Sequence, residues 1–353
     1  MEQDKQNLLE MIDRPAFLVK DGMIIAGNQI AKNRQIKLNE PVWDLLPSGS
    51  DAYREYQGGI LYLTLPLGRI RCGATVTRQR DGDMFLLDRD ADHCQLQALS
   101  LAGQQLRMPL SDVMILAESL LKELEDEQKE MAAQMRRALF QLMRPISNMA
   151  DAERYTAQTA PSFEHTELRS FFREIIEKSQ AYLEKANVHV QFHCPDKPIF
   201  TMINREQMER ATYNLLSNAV KFSRAGAVVD VTLSRTKTMA CLTVEDQGDG
   251  IADHVQGTLF HRYMREPAIE DSRFGLGLGM TLVRSAAAIH DGTVLLEQAN
   301  GTRVAMTMAI RRKIPTQVRT PMLRISDYAG GMDLGLLEFS DLLPADSYEE
   351  TLF

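Results

Sequence analysis

The stretch from residue 95 to residue 156 constrains this chain most, because it holds almost no β-favouring run and a single glycine, Gly103. Apolar residues recur there at helical spacing: Leu96, Leu99, Ala102, Leu106, Leu110, Val113, Ala117, Leu120 and Leu124. A polar run at residues 122–130 interrupts the pattern, which resumes at Met131, Met135, Ala138, Leu142 and Met149. This predicts two long helices joined near Glu125-Asp126. Each carries an apolar stripe too long to bury against the other alone, and hairpins of this kind dimerise into four-helix bundles. Pro109 and Pro145 fall inside the helices and are expected to kink them.

The flanks differ in character. Before the hairpin, residues 15–27 read as two strands around the Asp21-Gly22 turn, since a DG pair between apolar runs is a hairpin signal. A polar, helix-compatible stretch follows, ending near Trp43 and the turn Pro47-Ser48-Gly49. Three more strands come next (GILYLTLP, RIRCGATVTRQ and MFLLDRD), the last two separated by Asp81-Gly82-Asp83. The first unit is therefore a small α+β domain with a mostly antiparallel sheet. After the hairpin, Thr159-Ala160-Pro161-Ser162 reads as a linker. A helix at about residues 166–185 leads into alternating strands and helices up to about residue 310. The tail at residues 315–353 has glycine and proline punctuation and an acidic end, and no structure is assigned to it. A length of 353 residues suits two or three domains. The expected division is 1–92, 93–158, 159–313 and a tail at 314–353.

Charge and cysteine usage narrow the function classes. A net charge of −8 argues against a dedicated nucleic-acid binder, which would present a basic face. Cys72, Cys94, Cys194 and Cys241 form no CxxC pair, so reduced thiols are expected rather than a metal cluster or disulfide framework. The N-terminus lacks a basic segment followed by an apolar one, so no signal peptide is expected. No apolar run approaches the ~18 residues of a membrane span. The expected location is cytoplasmic.

Four separated segments after residue 200 carry the chemistry. In the first, Asn214-Leu-Leu-Ser-Asn218-Ala-Val-Lys221-Phe222, the two asparagines are four apart and share a helix face. Their carboxamides can offer oxygens to Mg²⁺, a hard ion that takes few protein ligands and keeps several waters. Lys221, about one turn after Asn218, can neutralise phosphate, and Phe222 could pack against a flat base. The second, Val244-Glu-Asp246-Gln-Gly248-Asp-Gly250-Ile251, ends a strand in a turn. Its glycines allow close backbone approach to a ligand, and Asp246 offers an acceptor suited to an exocyclic amino group. The third, Leu259-Phe260-His-Arg-Tyr263-Met-Arg265, lies in a stretch long enough to form a lid. The fourth, Gly275-Leu-Gly277-Leu-Gly279, leads into a helix, where free N–H groups and the helix dipole suit phosphate. A Rossmann turn would need a strand directly before the first glycine, and here the polar residues 266–273 precede it.

In order and spacing these segments resemble the GHKL ATPase superfamily, specifically the ATP-binding domain of sensor histidine kinases. NLLSNAVKF is similar to the N box, DQGDGI to the G1 box, LFHRYMR to the F box and GLGLG to the G2 box. The resemblance implies an α/β-sandwich domain that binds ATP with Mg²⁺. It implies Asn218 as metal ligand, Asp246 as holder of the adenine amino group, and Asn214 and Lys221 as phosphate groups. Gly248 and Gly250 would belong to the G1 turn, and Gly275 and Gly277 to the end of the lid. Arg273 and Phe274 depart from the family, which has glycine and a small polar residue there.

The same family carries its phosphoacceptor in the first hairpin helix, in a motif reading His-Glu-Leu-Arg-Thr-Pro-Leu. This chain has Gln104-Gln105-Leu106-Arg107-Met108-Pro109-Leu110. Gln104 stands at the histidine position, Gln105 at the acid/base glutamate and Met108 at the threonine. Phosphoryl transfer to the hairpin needs an imidazole nucleophile and a carboxylate to handle its proton. A glutamine amide supplies neither, so no catalytic residue is assigned in the hairpin. A second alignment, on the FQLMRPI of residues 140–146, also lacks the histidine and leaves too little chain for the second helix. His93 and His165 flank the hairpin and are expected to be exposed linker residues.

Residues 8–90 resemble, in pattern, a PAS sensor domain. The chain therefore reads as an α+β multidomain signalling protein of PAS-like domain, dimerisation hairpin and GHKL ATPase domain. It is expected to bind ATP–Mg²⁺ without autophosphorylating on histidine, to form a homodimer, and to work with a response regulator or kinase partner. The alternative is an active two-component protein kinase or ATPase acting on a partner.

Overall fold

The computed structural model describes residues 2–68, 70–121, 128–151, 162–224, 226–248, 250, 278–311 and 332–349. The N-terminal part opens with helix α1 (Glu2–Glu10). Strands β1 (Ala16–Lys20) and β2 (Met23–Gly27) follow, then the short helices α2 (Gln29–Asn33) and α3 (Ser50–Glu55). Strands β3 (Ile60–Leu67), β4 (Ile70–Gln79) and β5 (Gly82–Leu87) complete it. All pairings within this part are antiparallel, in the order β2-β1-β5-β4-β3. Asp21 takes a positive φ of 51° at the predicted turn, a conformation short polar side chains tolerate. Phe17, Ile24, Val42, Leu63, Val76 and Phe85 fill a core of their own.

Two long helices follow, α4 (Asp90–Leu121) and α5 (Lys129–Asp151). They run antiparallel: Ser100 Oγ donates to the Ala150 carbonyl at 2.7 Å near one end, and Arg136 Nε donates to Glu118 at 3.1 Å near the other. Pro109 and Pro145 both lie inside helices. Of the predicted stripes, Leu106, Val113 and Leu120 of α4 and Met131 and Leu142 of α5 are not covered by the chain. Leu120 is 68% and Met131 73% exposed.

The C-terminal part begins with β6 (Glu164–Glu167) and α6 (Leu168–Lys185). Here the predicted helix start at residue 166 is corrected. Residues 164–167 pair antiparallel with 200–203, and Glu167 caps α6 by accepting from Arg169 N and Ser170 N. His165 thus stands on a strand, exposed and stacked on Phe200, rather than in a linker. Next come β7 (His189–His193), β8 (Phe200–Ile203), α7 (Arg205–Phe222), β9 (Val228–Arg235) and β10 (Met239–Glu245). Helix α8 (Gly279–Ile289), β11 (Val294–Ala299) and β12 (Gly301–Ala309) follow. Val229, Val231 and Leu233 on β9, and Ala240, Leu242 and Val244 on β10, bury every second side chain in one core with α6, α7 and α8. This makes a two-layer α/β sandwich.

Two features depart from the expected independent units. First, the sheet does not stop between them. Residues 60–62 of β3 pair antiparallel with 294–296 of β11, so ten strands run in the order β2-β1-β5-β4-β3-β11-β12-β10-β9-β7. The alternation of side chains sends Ile60 and Tyr62 to the core of the C-terminal sandwich, and Leu61, Leu63 and Leu65 to the N-terminal core. Second, the tail is folded. Helix α9 (Leu334–Glu338) and residues 345–348 pack Leu337, Phe339, Leu343 and Tyr348 into the C-terminal core, with Tyr348 beside Phe140 of α5.

His290, just after α8, ties the sandwich together. Its Nδ1 donates to the Ala286 carbonyl at 2.6 Å, and its Nε2 accepts from the backbone N–H of Asn204, the cap of α7, at 2.9 Å. Only the neutral ring can do both, and burial pushes its pKa down from 6.5 to about 4. The folded pKa lies below the unfolded one. Its contribution is therefore complete above pH 6.5 and lost as pH falls through about 4. The expected loss by pH 4 is roughly 3 kcal/mol. Denaturant unfolding at pH 7 and pH 4.5 should show this slope in the wild type and a shallower one in His290→Gln.

Candidate nucleotide site

Two helix–strand junctions form the site. Helix α7 starts at Asn204, whose side chain accepts from Gln207 N at 3.0 Å, and runs to Phe222 with twelve of its residues buried. Asn214 lies on the face turned to α8. It is 1% exposed, its Nδ2 donates to the Arg210 carbonyl at 2.9 Å, and its Oδ1 lies where a side chain on Gly279 would have to go, 2.6 Å from an ideal Cβ. Asn214 is therefore engaged inside the α7–α8 contact. Asn218, one turn on, is half-buried, as is Lys221, while Phe222 is 42% exposed.

Asp246 follows β10 and is 6% exposed. Its Oδ1 accepts from the backbone N–H of Gly248 at 2.9 Å and of Thr302 at 3.1 Å, while its own N–H donates to the Thr302 carbonyl at 2.9 Å. Burial raises the carboxyl pKa, and the two N–H groups pull the other way. Both backbone bonds fall on one oxygen. Such a buried, oriented carboxylate suits a partner that donates hydrogen bonds, as an exocyclic amine does. Gly250 takes a φ of 74°, a turn conformation glycine adopts without strain. The G1 turn meets α7 directly, since a Cβ on Gly248 would strike the Phe222 carbonyl.

The first and second sequence segments thus meet through the Gly248–Phe222 contact, and the first reaches the start of α8 through Asn214 and Gly279. Gly275 and Gly277, the LFHRYMR segment, Arg273 and Phe274 lie outside the described residues. Thr302 and Gly301 escaped the sequence reading. Their signal was the Asn300-Gly301 turn of the β11–β12 hairpin, which carries the Thr302 N–H to Asp246. Arg144 of α5 was also missed. It donates from Nη2 to Ser217 Oγ of α7 at 2.8 Å, next to Asn218. On the hairpin, Gln104 Nε2 reaches Ser100 Oγ at 3.2 Å and the Ala150 carbonyl at 3.5 Å, while Gln105 is exposed.

The α/β sandwich, with an asparagine-bearing helix set against an aspartate–glycine turn, defines an ATPase domain of the GHKL type. Residues 203–312 match the family described as histidine kinase-, DNA gyrase B- and HSP90-like ATPase. The sensor-like histidine kinase SenX3 of Mycobacterium tuberculosis is 25% identical over 258 residues, 68% of this chain and 62% of SenX3. Sensor histidine kinase YcbM of Bacillus subtilis is 32% identical over 119 residues, 33% of this chain and 38% of YcbM. Residues 203–312 thus carry an ATPase domain of the histidine-kinase type, and the chain is similar to sensor histidine kinases. It spans 62% of SenX3 and 49% of the Synechocystis sensor histidine kinase RppB. Full-length ShkA, solved in complex with AMPPNP, shares the fold at a TM-score of 0.50 and 19% identity, over 61% of this chain and 45% of ShkA. Among the described residues, no helix is long and apolar enough to cross a membrane.

Proposed function

We propose that this chain is a dimeric signalling protein that binds ATP–Mg²⁺ and does not phosphorylate its own hairpin. Asp246 takes the adenine amino group, Asn218 supplies the oxygen for Mg²⁺, and Lys221 neutralises phosphate. Asn214 acts at one remove, setting the distance between α7 and α8. The observation that carries the loss of autophosphorylation is Gln104, whose amide is turned to Ser100 and the Ala150 carbonyl instead of presenting a nucleophile. An amide nitrogen shares its lone pair with the carbonyl and does not attack phosphorus.

Residues 1–92 serve as a PAS-like input domain, a reading supported by the antiparallel order β2-β1-β5-β4-β3. The hairpin is the dimer contact, supported by the uncovered Leu106, Val113, Leu116 and Leu120 on one helix and Met131, Met135 and Leu142 on the other. The partner that reads the nucleotide-dependent geometry is a response regulator or another kinase. A cytoplasmic setting is supported by four free cysteines.

Incubation with γ-labelled ATP and Mg²⁺, alone and with candidate response regulators, tests the reading. Saturable binding and a raised melting temperature are expected, with no stable label on the protein. Label retained by the chain, or passed to a regulator, would instead establish an active kinase.

A further inference from the structure

Helix α8 is held from two directions. At its N-terminal end Gly279 closes on Asn214 of α7. Five residues later Arg284, 2% exposed, leaves the nucleotide domain. It donates from Nη2 to both carboxylate oxygens of Asp88, at 2.9 and 3.1 Å, and its guanidinium carbon lies 3.9 Å from the Tyr62 ring centroid. Asp88 stands between β5 and α4, and its N–H donates to the Gly73 carbonyl at 2.9 Å. Gly73 is where β4 must be bare: a Cβ there would strike both the Tyr62 hydroxyl and the Asp88 carboxylate. Tyr62, Gly73 and Asp88 thus bring one buried polar cluster from the N-terminal part onto an arginine of the ATPase domain. A second bridge flanks it. Arg71 of β4 donates to Asp291, just past α8, at 2.7 Å, and Arg311 donates to the same carboxylate.

These contacts sit at the seam where β3 pairs with β11, and the seam is short. It comprises the three pairs Val294↔Tyr62, Leu295↔Leu61 and Leu296↔Ile60. Beyond Ile60 a cleft of about 340 Å³ opens, lined by Gln57, Gly58, Gly59, Leu296 and Gln298. Undocking would return both Asp88 and Arg284 to water. The desolvation of a buried pair offsets much of its attraction, so the Asp88–Arg284 pair itself adds little net stability to the docked state.

We infer that Asp88 and Arg284 form an autoinhibitory latch: the docked N-terminal domain holds α8 closed on α7 at the nucleotide site, and release of the β3–β11 seam opens that site. Asp88 links three elements, since it follows the input sheet, precedes the hairpin helix and pairs with the ATPase domain. A change in the N-terminal domain therefore reaches the nucleotide site without passing along the hairpin. The effect on nucleotide rests on the binding reading above, whereas the seam itself does not.

The test uses the full chain as wild type, Asp88→Asn and Arg71→Gln. The second variant breaks only the partly exposed bridge, so it keeps the question open to measurement should Asp88→Asn fail to fold. Hydrogen exchange without nucleotide is expected to accelerate at least tenfold at residues 60–62 and 294–296 in Asp88→Asn. It should accelerate less in Arg71→Gln and stay unchanged at the β9–β10 pairing. Calorimetric titration with AMPPNP and Mg²⁺ is expected to give at least threefold tighter binding in Asp88→Asn, and a smaller gain in Arg71→Gln. Unchanged seam exchange in both variants overturns the latch. A released seam with equal or weaker nucleotide affinity overturns its autoinhibitory role. A wild type and variants that all fail to bind AMPPNP would sink the nucleotide reading and the inhibition with it, while the exchange result still judges the seam.

Discussion

Replacing Asp246 by Asn is expected to weaken Mg²⁺–ATP binding at least tenfold, or about 1.4 kcal/mol, with little change in fold. The substitution keeps the size of the side chain, and an amide oxygen can still accept from the N–H groups of Gly248 and Thr302, as Oδ1 does now. What changes is the other position, where an NH₂ donor replaces an acceptor and, in the proposed site, would face the amino group of the base. A site built to accept a hydrogen bond discriminates strongly once it can only donate. Asn218→Ala is expected to produce a loss of the same size in the presence of Mg²⁺ and a much smaller one in EDTA, if its oxygen serves the metal as proposed. Calorimetric titration with AMPPNP, with and without Mg²⁺, separates the two. Wild-type affinity in Asp246→Asn would remove adenine from the site.

Acidity gives an independent check on the same carboxylate. Burial raises the Asp246 pKa above its ordinary 3.8, so the ionised acceptor is lost earlier on acidification than at an exposed aspartate. Nucleotide affinity should therefore fall as pH approaches that raised value. Stability responds with the opposite sign. The folded state holds the proton more tightly than the unfolded one, so this group's contribution to stability grows as pH falls.

The helices and the site were legible in the sequence to different degrees. The hairpin helices announce themselves through spacing, because α4 and α5 have no competing turn or strand signal over residues 95–121 and 129–151. Asp246 and Asn218 could be singled out as candidates because the chemistry proposed for them depends on local spacing within a strand end and a helix. The union of the two sheets was not legible. Its only trace was the run Ile60-Leu61-Tyr62-Leu63, buried on both faces, where a sheet with one wet face would alternate. A short apolar run does not say which second core receives Ile60 and Tyr62. The folded tail was hidden for a related reason. Helix α9 has five residues, too few to be stable by propensity, and it forms because Leu337 and Phe339 find a groove that the sequence does not display. Buried charges were the remaining blind spot, since Arg284, Arg210 and Glu338 read as ordinary surface residues until their partners are located.

The charge cluster beneath that tail carries the largest expected effect on stability. Arg210 of α7 is 1% exposed, donates to Asp151 at the end of α5 and to Asn148 Oδ1 at 2.7 Å, and lies 3.9 Å from Glu338 of α9. Arg144 of α5 joins the cluster through Asp341 at 2.8 Å and Glu338 at 3.5 Å. Hairpin, ATPase domain and tail thus share a set of buried charges whose attractions hold only while every member is present. Asp151→Ala leaves the Arg210 guanidinium in the interior with its closest carboxylate gone, and removing one partner of a buried pair costs about 3–5 kcal/mol. Truncating Glu174, whose pair with Lys178 is exposed, should cost less than about 1 kcal/mol. Urea unfolding followed by circular dichroism compares them. Arg210→Met provides the second arm: it strands Asp151 instead, while Glu338 keeps Arg144, and it is expected to destabilise comparably. The double variant Arg210→Met with Asp151→Leu should recover much of the loss, because an apolar pair of similar volume replaces the charges without leaving either one bare. Equal midpoints for Asp151→Ala and the Glu174 control would mean that water, and not Asp151, compensates Arg210.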